Sequence, residues 1–143
     1  MEQLIAFAGN HPMLSMIWLI LVILLIGTSI KMKLSPIKAI TPQELTFLVN
    51  REDGLVVDIR GEKEFKTSHI LDSINLSSEK ISNNDFVSLE KHKDKPIIVV
   101  CAAGMTAGKV ANQLLKAGFS KVSLLKGGMG AWSGAGLPVA KRK

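Results

Sequence analysis

Pro96-Ile97-Ile98-Val99-Val100-Cys101-Ala102-Ala103-Gly104-Met105-Thr106 decides the fold, together with the run Ala107–Gly118 that follows it. Ile97 to Val100 is a short apolar run rich in β-branched residues, which reads as a buried strand. Val110, Leu114 and Ala117 then recur at helical spacing, and Gly118 is a helix stop. The only cysteine of the chain therefore sits where a strand hands over to a helix through a loop of small residues. In an open α/β sheet, ligands bind at the carboxyl ends of the strands. A lone cysteine in such a place has two readings. It can be a small buried hydrophobe. It can also be a thiolate nucleophile, stabilised by loop N–H groups and by the positive end of the helix. The loop and helix context favours the second.

Outward from this stretch, strands and helices alternate. Ile37–Ile40 is an expected strand. Thr41-Pro42-Gln43-Glu44 is a capping box with proline at the first helical position, and Leu45, Leu48 and Val49 give that helix an apolar face. Asn50–Gly54 reads as a turn. Leu55–Val57 is an expected central strand ending in Asp58, Glu62–Thr67 a helical turn with Phe65 inward, and Ile74–Leu76 a short strand. Ser77–Lys95 is polar, with one modest helix expected over Asp85–Glu90. Downstream, Val122–Leu124 is the last strand. Lys126-Gly127-Gly128 is a loop whose glycines permit close backbone approach. Met129–Ala135 is a short helix anchored by Trp132. The pattern predicts an α/β fold, a mostly parallel sheet flanked by helices on both faces.

The N-terminal part differs in kind. Residues 3–30 contain no Asp, Glu, Lys or Arg. Met13–Ile30, MLSMIWLILVILLIGTSI, would span about 27 Å as a helix, close to the hydrocarbon core of a bilayer. Residues from Leu4 onward could lengthen it, and Trp18 suits an interface. No basic residue precedes the run and Gly27–Lys31 is a poor cleavage site, so a retained anchor is favoured over a signal peptide. The expected organisation is an N-terminal segment 1–31 with a transmembrane helix at about 13–30, a linker 32–36, and a domain 37–143. Lys31, Lys33 and Lys38 follow the span at once. The positive-inside rule then puts the domain in the cytoplasm, with one pass through a bacterial inner membrane. A free cysteine suits that reducing compartment.

Residues 31–143 hold 18 basic and 11 acidic side chains, a net of +7. The lysines are scattered and no aromatic platform accompanies them, so nucleic acid is not an expected partner. An anionic bilayer surface is the simpler reading. One cysteine allows no internal disulfide and no cysteine-rich metal site.

Three motifs in order resemble the rhodanese-like sulfurtransferases. Val57-Asp58-Ile59-Arg60 with Glu64-Phe65 and His69-Ile70 matches that family's first signature. Cys101–Thr106 matches its six-residue active-site loop. Leu125-Lys126-Gly127-Gly128 with Trp132 and Gly136-Leu137-Pro138-Val139 matches its closing signature. The resemblance covers most of residues 37–139, and with the anchor the chain resembles the short membrane-anchored bacterial members.

The resemblance implies sulfur transfer through a persulfide on Cys101, from a sulfane-sulfur donor to a thiol acceptor. The backbone of Ala102, Ala103, Gly104, Met105 and Thr106 would form the anion cradle, and the Thr106 hydroxyl would add a hydrogen bond. Asp58 and Arg60 would order the surrounding loops. His69, which could in principle serve as a base, is implied to be structural and bonded to backbone. No metal and no organic cofactor is implied. The bilayer would be contacted through residues 13–30, and the anchor suits a membrane-protein partner.

Some residues depart from the family pattern. Ala102 and Ala103 stand where a basic or polar residue is common. Ser68 replaces a usual glycine, and Asp72-Ser73 a common Gly-Ala. These departures keep a rival in play, a catalytically weak binding module that recruits a partner at the membrane. A cysteine phosphatase is disfavoured, because the position that would carry its arginine is Ala107. A redox sensor is disfavoured because no resolving cysteine exists.

Overall fold

The computed structural model describes residues 3, 9–33 and 36–142, with residues 31–33 described through the backbone alone. The chain divides into two compact units, 1–36 and 37–143.

The first unit carries helix α1, Pro12–Lys33. Its window Pro12–Ile30 is long and apolar enough to cross a membrane, and none of it is buried against protein. It is apolar all round, unlike a surface helix of a globular domain. The helix runs three residues past Ile30, so the expected linker begins inside it. Glu2, the lengthening through Leu4–Ala8, Leu34–Ser35 of the linker, and Lys143 lie outside the described residues.

The second unit is an α/β domain. Its five strands are β1 (Lys38–Ile40), β2 (Leu55–Asp58), β3 (Ile74–Asn75), β4 (Ile97–Val100) and β5 (Val122–Leu125). They form one sheet in the order β1-β5-β4-β2-β3, and every neighbouring pair is parallel. The expected mostly parallel sheet is what forms. One isolated antiparallel bridge, His69 with Ala140, ties the C-terminal segment to the domain.

The central strand β4 is buried along its whole length, because both of its faces are covered. Side chains of alternate residues go to opposite faces. Val57, Ile97 and Val99 join Phe86, Leu89, Val110, Ala111, Leu114 and Phe119 in one core. Val56, Ile98 and Val100 join Leu45, Ile70, Met129 and Trp132 in the other. Helix α5 (Ala107–Lys116) thus seals one face, and α2 (Pro42–Glu52) and α6 (Gly128–Gly134) the other. The helices α3 (Glu62–Thr67) and α4 (Ser78–Ser82) are shorter.

The capping box forms as expected. Glu44 N–H donates to Thr41 Oγ1 at 3.2 Å and Thr41 N–H donates to Glu44 Oε2 at 2.8 Å. Other local expectations are corrected. Asn50–Glu52 is helical, and the turn is made at Asp53, whose φ of 54° ends α2 in the left-handed region. Helix α4 was not anticipated; Ser77 caps it by accepting from Lys80 N–H. The helix expected over Asp85–Glu90 is instead a 3₁₀ segment, Val87–His92, which still buries Leu89.

Candidate active site

Cys101 leaves the carboxyl end of β4, and α5 starts six residues later at Ala107. Its residue is only 4% exposed. Gly104 N–H donates to the Cys101 sulfur at 2.8 Å. Burial pushes the thiol up. The Thr106 hydroxyl and the N–H groups of Ala107, Thr106 and Gly104 push it down and prevail, so the Cys101 thiol sits below the ordinary cysteine range. The N–H groups at the helix start have no partner within the helix and share in this lowering. Thr106 occupies the N-cap position of α5 without capping it through its side chain. Its hydroxyl is thereby available to the sulfur.

The loop is held from behind by α6. Met129 N–H donates to the Cys101 carbonyl at 2.8 Å, and Gly130 N–H to the Ala102 carbonyl at 3.1 Å. Two orphan donors at the α6 start thus meet two loop carbonyls. This approach demands glycine at position 128, where a Cβ would stand 2.2 Å from the Cys101 carbonyl oxygen and φ is +58°. Gly104 also takes a positive φ, 85°, and a Cβ there would meet Gly127 N at 2.9 Å.

Of the predicted site residues, Cys101, Gly104 and Thr106 converge on the sulfur. Ala102, Ala103 and Met105 belong to the same loop and face solvent. Met105 is 88% exposed.

Asp58, Arg60 and His69 form a separate cluster, and none of their hydrogen bonds reaches Cys101. Arg60 Nε donates to Asp58 Oδ1 at 3.0 Å, and Arg60 Nη2 to Asp58 Oδ2 at 2.7 Å. The two side chains are 1% and 8% exposed for Asp58 and Arg60. The same Nη2 donates to the Ser68 carbonyl at 2.6 Å. His69 Nδ1 lies 2.7 Å from the Phe65 carbonyl, and its ring stacks on Phe65 with centroids 4.1 Å apart. The cluster reaches β4 through backbone, since Ile59 N–H donates to the Val100 carbonyl at 2.9 Å.

Asn75, within the expected strand Ile74–Leu76, also has a positioning role. Its amide donates to the carbonyls of Asp58 at 3.0 Å and Arg60 at 2.9 Å, so it fastens the loop that follows β2. The available signal was an amide side chain set between Ile74 and Leu76. The departures at 68 and 72 have local explanations. Ser68 is extended, with φ −163°, which any residue adopts. Asp72 has φ 59°, a left-handed position that Asp tolerates better than most residues. Among the described residues no three His, Cys, Asp or Glu side chains are grouped to hold a metal ion.

A family model described as rhodanese-like domain matches residues 41–135. YibN of Escherichia coli strain K12 is 44% identical over 143 residues, covering 100% of both chains. The thiosulfate sulfurtransferase GlpE of Pseudoalteromonas translucida is 36% identical over 88 residues, which is 62% of this chain and 81% of that one. The crystal structure of the Alr3790 protein from Anabaena overlays with a TM-score of 0.63 at 27% identity, covering 72% of this chain and 80% of that chain. A thiosulfate sulfurtransferase from Pseudomonas aeruginosa overlays with a TM-score of 0.64 at 27% identity, covering 74% of this chain and 20% of that one.

Proposed function

The chain belongs to the rhodanese-like domain family, and from that premise we propose that it is a membrane-anchored sulfurtransferase with Cys101 as its nucleophile. Sulfurtransferase-type chemistry is the family's, and the thiosulfate sulfurtransferases among its relatives support it here. The observation that carries the reading is the Cys101 sulfur at the end of the central strand, met by Gly104 N–H at 2.8 Å and held below the ordinary thiol range.

The thiolate attacks the sulfane sulfur of a donor. A bond forms between Cys101 Sγ and that sulfur, and the donor's remainder leaves with the electron pair of the broken bond. The product is a persulfide anion on Cys101. An acceptor thiolate then attacks the outer sulfur and Cys101 leaves as a thiolate. The cradle of N–H groups serves both sulfurs in turn, because each carries negative charge at one stage. Asp58, Arg60, Asn75 and His69 act by holding the rim, not by touching the reacting atoms.

The anchor is helix α1 through residues 13–30, with residues 31–143 in the cytoplasm. Its support is the length and apolar composition of the span and the step in charge at Lys31. Protease treatment of intact spheroplasts should leave the C-terminal domain whole. Digestion from outside would overturn this topology, and loss of the first 30 residues from the mature protein would make the segment a signal sequence.

One observation favours the second reading, a weakly catalytic module that holds a membrane partner. Cys101 is 4% exposed, and the two residues that follow it are alanines that offer a substrate no charge. Mass spectrometry decides between the two. Incubation with a sulfane donor should add one sulfur atom to Cys101. A chain that takes up none from any donor would be the binding module.

A further inference from the structure

The loop that cradles the Cys101 sulfur has an uneven chemistry. Everything it offers the sulfur is a neutral dipole. The donors are the Thr106 hydroxyl and peptide N–H groups, with Gly104 N at 2.8 Å. No residue from Cys101 to Gly108 is ionised as a cation, and the first basic side chain after the cysteine is the exposed Lys109 on α5. Meanwhile the loop's one large side chain, Met105, stands 88% exposed between the two residues that supply Gly104 N–H and the Thr106 hydroxyl. A lone exposed apolar residue is ordinary on a protein surface. Here it is flanked on both sides by groups that hold the reacting sulfur.

These features act on a donor in opposite ways according to its charge. A dianion such as thiosulfate approaches a thiolate against like-charge repulsion and finds no cation within the loop itself, residues 101–108, to offset it. Dipoles are weaker partners for full charges than guanidinium or ammonium groups are. A donor with less charge and an apolar body meets less repulsion and can lay that body on the thioether, a flexible and polarisable contact.

We propose that this loop selects sulfane-sulfur donors of low charge with an apolar organic body, and that Met105 is the specificity-determining side chain. The proposal rests on the sulfur-transfer reading and names its substrate class. With an aryl thiosulfonate the step balances as follows. The Cys101 thiolate bonds to the terminal sulfur, the S–SO₂ bond breaks, and the arylsulfinate leaves with the electron pair. One negative charge is carried by each partner before and after.

The test uses the full chain in detergent with cyanide as acceptor. kcat/KM is measured for benzenethiosulfonate, a monoanion, and for thiosulfate, and each is divided by the donor's rate with a small free thiol. The normalised preference for benzenethiosulfonate should be about tenfold or more, the scale set by one absent charge-assisted hydrogen bond. Raising the salt should speed thiosulfate more than benzenethiosulfonate, because screening relieves the larger repulsion. Met105→Lys should raise kcat/KM for thiosulfate several-fold, and Met105→Ser should lower it for benzenethiosulfonate several-fold. A normalised preference near one, or variants that keep the wild-type preference, overturns the selectivity while sulfur transfer stands. Loading of Cys101 by neither donor overturns both.

Discussion

Two regions border the same end of the sheet and are built on opposite principles. The Cys101 loop is held by backbone. Its sulfur is met by peptide N–H groups and one hydroxyl, and its carbonyls are met by the α6 start. The rim of Asp58, Arg60, Ser68 and Asn75 is held by side chains, with a buried ion pair at its centre. The difference has a physical cause. On the proposed sulfur transfer, the loop receives a mobile sulfur anion and needs donors that surround a point without filling it, and peptide groups do this. A rim that must only stay in place can use a charged pair of fixed geometry. The two regions should therefore fail in different ways. The rim should break when a side chain is removed, and the loop when one is added.

Asp58→Ala should produce the largest effect. It leaves the Arg60 guanidinium, 8% exposed, without its carboxylate. Breaking a buried pair on one side costs about 3–5 kcal/mol. Urea unfolding of the purified chain should show a loss on that scale. The double variant Asp58→Leu/Arg60→Leu should recover a large part of it. Recovery of nothing would mean that the rim depends on the specific bonds to the Ser68 carbonyl rather than on charge compensation.

Gly128→Ala makes the converse change at the loop. The added methyl would stand 2.2 Å from the Cys101 carbonyl oxygen, at a φ of +58°. Overpacking together with left-handed strain should cost about 2–4 kcal/mol. The loop must shift, so persulfide formation should fall more steeply than the fraction folded. Equal losses of both would show that the α6 contact stabilises the fold without positioning the sulfur.

His69→Ala separates holding from chemistry. It removes the contact with the Phe65 carbonyl and the stacked ring. A loss of about 1–3 kcal/mol is expected, seen as a lower Tm. The folded fraction should still load sulfur onto Cys101. Lost reactivity at unchanged Tm would make His69 catalytic.

What could be read from the sequence follows the same division. The loop, its strand and its helix are contiguous, so the run from Ile97 to Gly118 is legible on its own, although Gly128, Met129 and Gly130, which hold the loop from behind, lie outside it. The capping box at Thr41 and Glu44 is likewise local. The rim is not. The Asp58–Arg60 pair is two residues apart in sequence, but its anchors come from other elements: the Ser68 carbonyl at the end of α3, and Asn75, which meets it only when β2 and β3 pair. Nor does local pattern determine the strand order, in which β5 lies between β1 and β4. The polar stretch Ser77–Lys95 is not legible for another reason. Its short helix and 3₁₀ turn are anchored by few apolar side chains, Ile81, Phe86 and Leu89, too few to set a period.

The smallest effect probes the one place where the loop departs from its own principle. Among the described residues, Thr106 is the side chain whose hydroxyl pulls the Cys101 thiol down, and it caps no helix N–H. Thr106→Val deletes the hydroxyl and keeps the shape, and position 106 is exposed, so the cores are untouched. One hydrogen bond is worth about 0.5–1.5 kcal/mol, hence up to about one pH unit in the thiol's midpoint. The rate of Cys101 alkylation against pH should therefore shift to higher pH in the variant, and Thr106→Ser should restore it. The stability consequence has a definite sign. The folded thiol is below its unfolded value, about 8.5. Its contribution to stability is thus complete above that value and is lost as the pH falls through the folded midpoint. Wild type and Thr106→Val should differ most in alkaline buffer and converge in acid. A midpoint that does not move would mean that peptide N–H groups alone hold the thiolate, and the contrast between loop and rim would then be complete.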